Sequence, residues 1–168
     1  MSQTDAPLRE MVPGRLGLIA EPFNPHDIVS KVQPGGASYY GRLVLHDPPS
    51  GDDAVKTPAG DLAAPAGVVT ATHAIESQDD SDDPNYAAKK TVPVMTKGRA
   101  WVQIEADVDV GDEVWCRHTV DASLDKLGAF APATGTGLTQ IATGARWVKG
   151  GTAAQGIALL EFDVLVFS

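Results

Sequence analysis

Proline and glycine interrupt this chain so often that no segment offers a convincing helix longer than about two turns. The 12 prolines and 17 glycines follow no period. That excludes a collagen-like repeat and leaves short extended runs as the units of structure. Such runs recur roughly every 8–12 residues with turn residues between them, the spacing of a β-sandwich or barrel. With 168 residues the chain is long enough for one domain with its own core. Its hydrophobic fraction of 43% is that of a folded protein, and no internal repeat is visible.

Residues 1–36 read as an extended Pro-rich arm, broken by Pro7, Pro13, Pro22, Pro25 and Pro34. The arm is not a hydrophilic linker, because it carries Leu16, Leu18, Ile19, Phe23, Ile28 and Val29. Those side chains need this chain's own core or a neighbouring subunit to bury them. Residues 37–168 then form a single β-barrel or jelly-roll-like sandwich. Its strand candidates are Arg42–His46, Val68–Ile75, Val92–Met95, the alternating run Ala100, Val102, Ile104, then Glu113–Val120 and Phe130–Pro132. Gln140–Ala142, Ala145–Val148 and Ile157–Phe167 complete the set. Residues 47–66 and the acidic stretch 76–86 read as loops, and Leu124–Leu127 as a helical turn. On Glu113–Val120, Val114, Cys116 and Val120 share one face, with Arg117 and Thr119 on the other. On the last strand Leu160, Phe162, Val164 and Val166 share a face. Glu161 and Asp163 lie opposite, joined there by Leu165 and Phe167, so both sides are expected to be covered near the end.

Charge narrows the partners. The chain has 22 acidic and 13 basic residues, a net charge of −9, and its longest basic run is Lys89-Lys90. A phosphate-binding surface needs clustered cations, so no nucleic-acid partner is expected. No apolar run approaches the ~20 residues of a membrane-spanning helix, so no membrane partner is expected either. The polar stretch Met1–Met11, with Asp5 and Glu10, does not read as a signal peptide. A lone cysteine, Cys116, cannot form an internal disulfide, which agrees with folding in a reducing cytoplasm.

Tests for chemistry return little. Asp79-Asp80-Ser81-Asp82-Asp83 alternates carboxylates as a Ca²⁺ loop does, but Pro84 stands where a turn glycine belongs and no bidentate Glu follows. It reads as a solvated loop. His26, His46, His73 and His118 form no i,i+4 pair and join no Cys-x-x-Cys, so they read as structural. Cys116 sits mid-strand beside valine and reads as a small buried hydrophobe, not a nucleophile. There is no Gly-x-Ser-x-Gly elbow and no Walker lysine. Gly135-Thr136-Gly137 and Gly14-Arg15-Leu16-Gly17 are incomplete as nucleotide fingerprints. The sequence is read as a non-enzyme with no catalytic residue, cofactor or metal. Trp101 and Trp115 are the interesting apolar residues, because alternation sets them opposite Ala100, Val102, Ile104 and opposite Val114, Cys116. A large aromatic on a polar face marks either an interface or a sheet covered on both sides.

Several segments in order resemble the tailed-phage structural cement proteins. They are Pro13-Gly14-Arg15-Leu16-Gly17-Leu18-Ile19-Ala20, Pro25-His26-Asp27-Ile28-Val29-Ser30 and Tyr40-Gly41-Arg42-Leu43-Val44. Val92–Val102, Val110-Gly111-Asp112-Glu113-Val114-Trp115, Gly128-Ala129-Phe130, Gly144-Ala145-Arg146-Trp147 and Gly156–Glu161 follow. The resemblance is weakest over 47–90, where a long Pro-, Asp- and Gly-rich insert departs from it. It implies a barrel or jelly-roll-like virion protein, made in the host cytoplasm, on the capsid exterior. It further implies a bridge between neighbouring major capsid proteins, as a homodimer or homotrimer, against the pressure of packaged DNA. Leu16, Leu18, Ile19, Phe23, Ile28, Trp101 and Trp115 are then the candidate partner interface. Two readings compete: a carbohydrate- or host-binding β-sandwich, which would show an exposed tryptophan near a groove, and a cupin-type enzyme, which would gather histidines and carboxylates inside a barrel.

Overall fold

The computed structural model describes residues 15–21, 27–60, 64–71, 85–120 and 126–167. Its strands, in chain order, are β1 (Ile19–Glu21), β2 (Ile28–Val32), β3 (Ser38–Tyr39), β4 (Leu43–His46), β5 (Val55–Lys56), β6 (Pro65–Val69) and β7 (Asn85–Tyr86). They continue with β8 (Thr91–Met95), β9 (Gly98–Gln103), β10 (Trp115–Arg117), β11 (Phe130–Ala131), β12 (Leu138–Lys149) and β13 (Ile157–Phe167). A 3-10 turn spans Pro48–Ser50. The mostly β reading holds.

The strands form a six-stranded sheet ordered β1-β9-β13-β12-β10-β11, a five-stranded sheet ordered β2-β8-β6-β4-β5 and a small pair, β3-β7. Every ladder is antiparallel. The five-stranded sheet curls. Its two edge strands meet through a parallel bridge from Val32 to Ala54, in which the Val32 N–H donates to the Asp53 carbonyl at 3.0 Å. Strand order and pairing thus give two sheets, one curled into a half-barrel. Among the described residues they do not close into one barrel.

That curl explains why the chain holds two cores. Leu43, Leu45, Val68 and Met95 point out of the half-barrel and pack with Ala100, Val102, Phe130, Trp147, Leu160 and Phe162 of the six-stranded sheet. Val44, Val55, Val69, Val92 and Val94 point into it and pack with Tyr40 and Tyr86. Leu43-Val44-Leu45 is an unbroken apolar run because its strand is buried on both faces.

Several expectations shift. Residues 19–21 and 28–32, on the arm side of the expected boundary at 36, are strands: β1 pairs β9 in one sheet and β2 pairs β8 in the other. The expected strand 68–75 begins earlier, at Pro65, because Pro65 pairs with Leu45. The expected loop 47–66 contains the 3-10 turn and β5. Gln140–Ala142 and Ala145–Val148 are one strand, β12, which runs through Gly144 with register shifts. Those shifts also invert the end of β13: Ile141 and Ala145 are four positions apart while their partners Phe167 and Phe162 are five apart, so one extra residue lies on the β13 side. Leu165 therefore turns into the core beside Leu160 and Phe162, and Val166 is 48% exposed. Val120 is 52% exposed because β10 ends at Arg117, three residues before it. The helical turn at 124–127 falls largely outside the described residues.

Candidate interaction interface

The N-terminal segment is stitched between the two sheets. The Gly17 N–H donates to the Trp101 carbonyl at 2.8 Å, and the Gly17 carbonyl accepts from Ala71 N–H at 2.9 Å. Gly41 repeats the device, donating to the Val69 carbonyl and accepting from Gln103 N–H. Both residues sit at positive φ, 71° and 70°. A Cβ would stand 2.8 Å from Ala71 N at Gly17 and 2.9 Å from the Trp101 carbonyl oxygen at Gly41, so only glycine fits these crossings. The expected interface side chains hang from this frame. Leu16 packs on the core inside the half-barrel, Ile19 and Ile28 pack on the core between the sheets, and all three are half-buried. Leu18 is half-buried and its carbonyl accepts from Trp101 N–H at 3.0 Å. Phe23 lies outside the described residues.

Trp101 stands opposite Ala100 and Val102, as alternation requires, yet it is only 5% exposed. Lys149 lies over its ring at 5.7 Å and Leu159 pairs with it across the ladder. The outer face of the six-stranded sheet is covered at this point, which removes Trp101 as an exposed interface residue in the single chain. Trp115 is half-buried, and its Nε1–H donates to the Glu113 carboxylate at 2.9 Å. Trp147 Nε1–H donates to the Glu113 carbonyl at 3.1 Å, so Glu113 positions both rings. Exposed apolar side chains elsewhere are Val110 at 68% and Val32 at 41%.

Two polar constructions escaped the sequence reading. Arg117, expected on the face opposite Val114 and Cys116, is buried: its Nε–H donates to both Glu105 oxygens at 2.6 and 2.7 Å, and the two side chains are 4% and 3% exposed. The guanidinium Nη1 also donates to the Thr136 and Thr119 carbonyls at 3.1 and 3.4 Å. Arg42, the first residue of an expected strand that begins instead at Leu43, donates to the buried Gln103 side chain and stacks on Tyr39 at 4.1 Å. On the outer sheet face Arg99 and Arg146 share Glu161, at 2.6 and 2.7 Å, and Lys97 pairs Asp163 at 3.0 Å. The Arg99 hydrogen bond, with help from Arg146 and against partial burial, holds the Glu161 carboxyl below the usual carboxylate range.

Burial pushes the Cys116 thiol far above its ordinary range, Glu105 adds to that shift, and Arg117 opposes it. A thiol so held is neutral and enclosed. His118 meets Thr119 Oγ1 at 3.0 Å. Among the described residues no three His, Cys, Asp or Glu side chains are grouped to hold a metal ion. The acidic run 79–83 lies outside those residues, as do His26 and His73.

Comparison with known proteins gives one family and one fold. The profile of the phage family described as "Structural cement protein (E217 gp24/Pam3 gp6)" matches residues 4–163. No curated protein matches. Among solved structures, a chain of "The capsid of Myoviridae Phage XM1" superposes with a TM-score of 0.70 at 18% identity, covering 99% of this chain and 100% of that one.

Proposed function

This chain belongs to the phage structural cement protein family, and on that premise we propose that it is a virion structural protein of the capsid exterior. In this reading it binds the major capsid protein, bridges neighbouring subunits as a homodimer or homotrimer, and resists the internal pressure of packaged DNA. The single observation that carries the proposal is the extent of the family match, residues 4–163, which takes in both sheets and the N-terminal segment alike.

The fold supplies a physical means. A cement must transmit tension from its contact points into a body that does not unfold. Leu18, Ile19, Ile28 and half-buried Trp115 retain surface to offer a partner, and Leu16 and Phe23 belong to the same segment. Leu18 and Ile19 follow Gly17, which bonds to both sheets, and Ile28 is held by β2–β8 pairing, so a pull on the segment is shared by two cores instead of peeling one edge strand. The half-barrel and the six-stranded sheet packed on it serve as the jelly-roll-like body of this reading. Many weak sites on one shell add avidity without tight single contacts.

The experiment is co-sedimentation of the purified protein with undecorated shells at varied salt. Saturable binding at a fixed ratio to the major capsid protein is expected. Absence of binding to mature shells would reject the proposal. No observation favours glycan binding: Trp101 is buried and Trp115 is engaged by Glu113.

A further inference from the structure

The N-terminal segment joins the rest of the chain through one short turn, Gln33-Pro34-Gly35-Gly36-Ala37. Before the turn, β2 pairs with β8 from Ile28↔Met95 to Val32↔Thr91, and β1 pairs with β9. There too the Val32 N–H donates to the Asp53 carbonyl at 3.0 Å, and Lys31 pairs with the Asp53 carboxylate at 3.1 Å. After the turn, β3 opens the body of the chain by pairing with β7. Every partner just named for the segment lies in that body. A second copy of the body presents the same partners in the same geometry, so the turn decides which copy the segment lies on. Gln33 holds the turn closed. It is 2% exposed, and its side-chain amide donates to the Gly35 carbonyl at 2.9 Å, the Ala37 carbonyl at 3.1 Å and Thr57 Oγ1 at 3.1 Å. Its side-chain oxygen accepts from Ser38 Oγ. Gly36 sits at φ 80°, left-handed backbone that the closed turn requires and an extended one does not. Pro34 already restricts Gln33 to extended backbone, so an opened turn simply continues β2. Gly35 and Gly36 are exposed, and a Cβ on Gly36 would meet nothing nearer than Gln33 Nε2 at 3.6 Å.

We propose that Pro34-Gly35-Gly36 is a hinge through which two copies exchange their N-terminal segments. Each lays β1 and β2 on the β9 and β8 of the other, and Gln33 is the latch of the unexchanged chain. Exchange remakes every strand pair and the Gly17 crossing, so the two forms differ where Gln33–Ala37 bends. Joining two molecules costs translational freedom, which favours the latched single chain in dilute solution, and rising concentration favours the exchanged pair. The inference concerns the free chain, so it stands or falls independently of shell binding.

The test places cysteines at Val32 and Thr91, which are register partners and both exposed. Antiparallel partners stand about 4.5–5.5 Å apart at Cα, within reach of a disulfide. Cys116 is buried and stays out of the reaction. The full chain is refolded at low and at high concentration, separated by size, diluted and then oxidised. The single-chain fraction should close its disulfide within one chain. The dimer fraction from high concentration should close it between two chains, giving a covalent dimer on a denaturing gel that a reducing agent splits. Gly36→Val, which strains the closed turn and not the open one, should raise the dimer association constant roughly tenfold or more. Removal of Gly35 and Gly36 together leaves the turn too short to close, and is the second variant if Gly36→Val loses its thermal transition. It should be dimeric at every concentration. The proposal is overturned if the parent chain yields no interchain disulfide at high concentration, or if the folded hinge variant dimerises no more than the parent. Dimers whose disulfides all lie within single chains would overturn it equally, because those copies associate without exchange.

Discussion

The β12–β13 hairpin and the N-terminal segment are both held by strand pairing, but at very different chain distances. β12 and β13 pair across a turn of seven residues, 150–156, and build the longest ladder in the molecule. β1 and β2 find their partners β9 and β8 some sixty residues or more along the chain, and in different sheets. Local pairing costs little loop closure, whereas the segment can be fixed only once both sheets exist. The hairpin is therefore a source of stability, and the segment is a reporter of whether the two sheets have come together. Under the proposed function that division is useful, because the segment offered to a partner is clamped by the whole body.

Deleting residues 1–36 puts the comparison at greatest risk. It removes β1, β2, the Gly17 stitches and the buried Gln33. Loss of a cooperative thermal transition is expected. A folded protein without residues 1–36 would show that the segment is an appendage. Next, Arg117→Met should cost about 3–5 kcal/mol in urea unfolding, because it leaves the Glu105 carboxylate buried and unpaired. Combining it with Glu105→Leu should recover much of that loss. Core truncation then separates the two regions by degree. Leu160→Ala, fully buried on β13, should cost about 2–5 kcal/mol, and half-buried Ile19→Ala on β1 about 1 kcal/mol. Equal costs would remove the distinction.

The smallest effect concerns the outer ladder. Glu161 is held below the usual carboxylate range by Arg99. Its contribution is therefore present above the unfolded carboxyl value and is lost as pH falls through the depressed folded value. Glu161→Gln should destabilise the protein by at most about 1 kcal/mol at neutral pH, because solvent and salt screen this face. Unfolding curves of the two proteins should converge in acid.

The same comparison shows what could be read from residues alone. β13 was legible end to end, Ile157–Phe167, because it is an unbroken run of strand-forming residues with Glu161 and Asp163 alternating against Leu160 and Phe162 at its middle. Its inversion at Leu165 was not, since a bulge depends on the pairing strand. β2 was hidden because Ile28 and Val29 serve opposite cores and Pro25 and Pro34 flank them, leaving no period to see. The faces of Trp101 and Trp115 were assigned correctly by alternation. What covers Trp101, a lysine 48 positions away, has no local signature. The Glu105–Arg117 pair was missed for the same reason: burial of a charge becomes tolerable only through a partner that sequence spacing does not reveal. Among the proposed interface residues, the structure locates all but Phe23, and it shows that Leu16, Ile19 and Ile28 first serve the chain's own cores.

The claim that this protein cements a shell is most directly tested by the strength of the shell itself. DNA-filled particles, stripped and then re-decorated with the purified protein, would be heated while DNA release is followed with an intercalating dye. The account predicts that saturating protein raises the release temperature. It also predicts that Gly17→Ala, which loosens the segment from both sheets, lowers that gain more than it lowers the amount bound. Saturable binding that leaves the release temperature unchanged would contradict it, and would make the protein an ornament of the capsid rather than its cement.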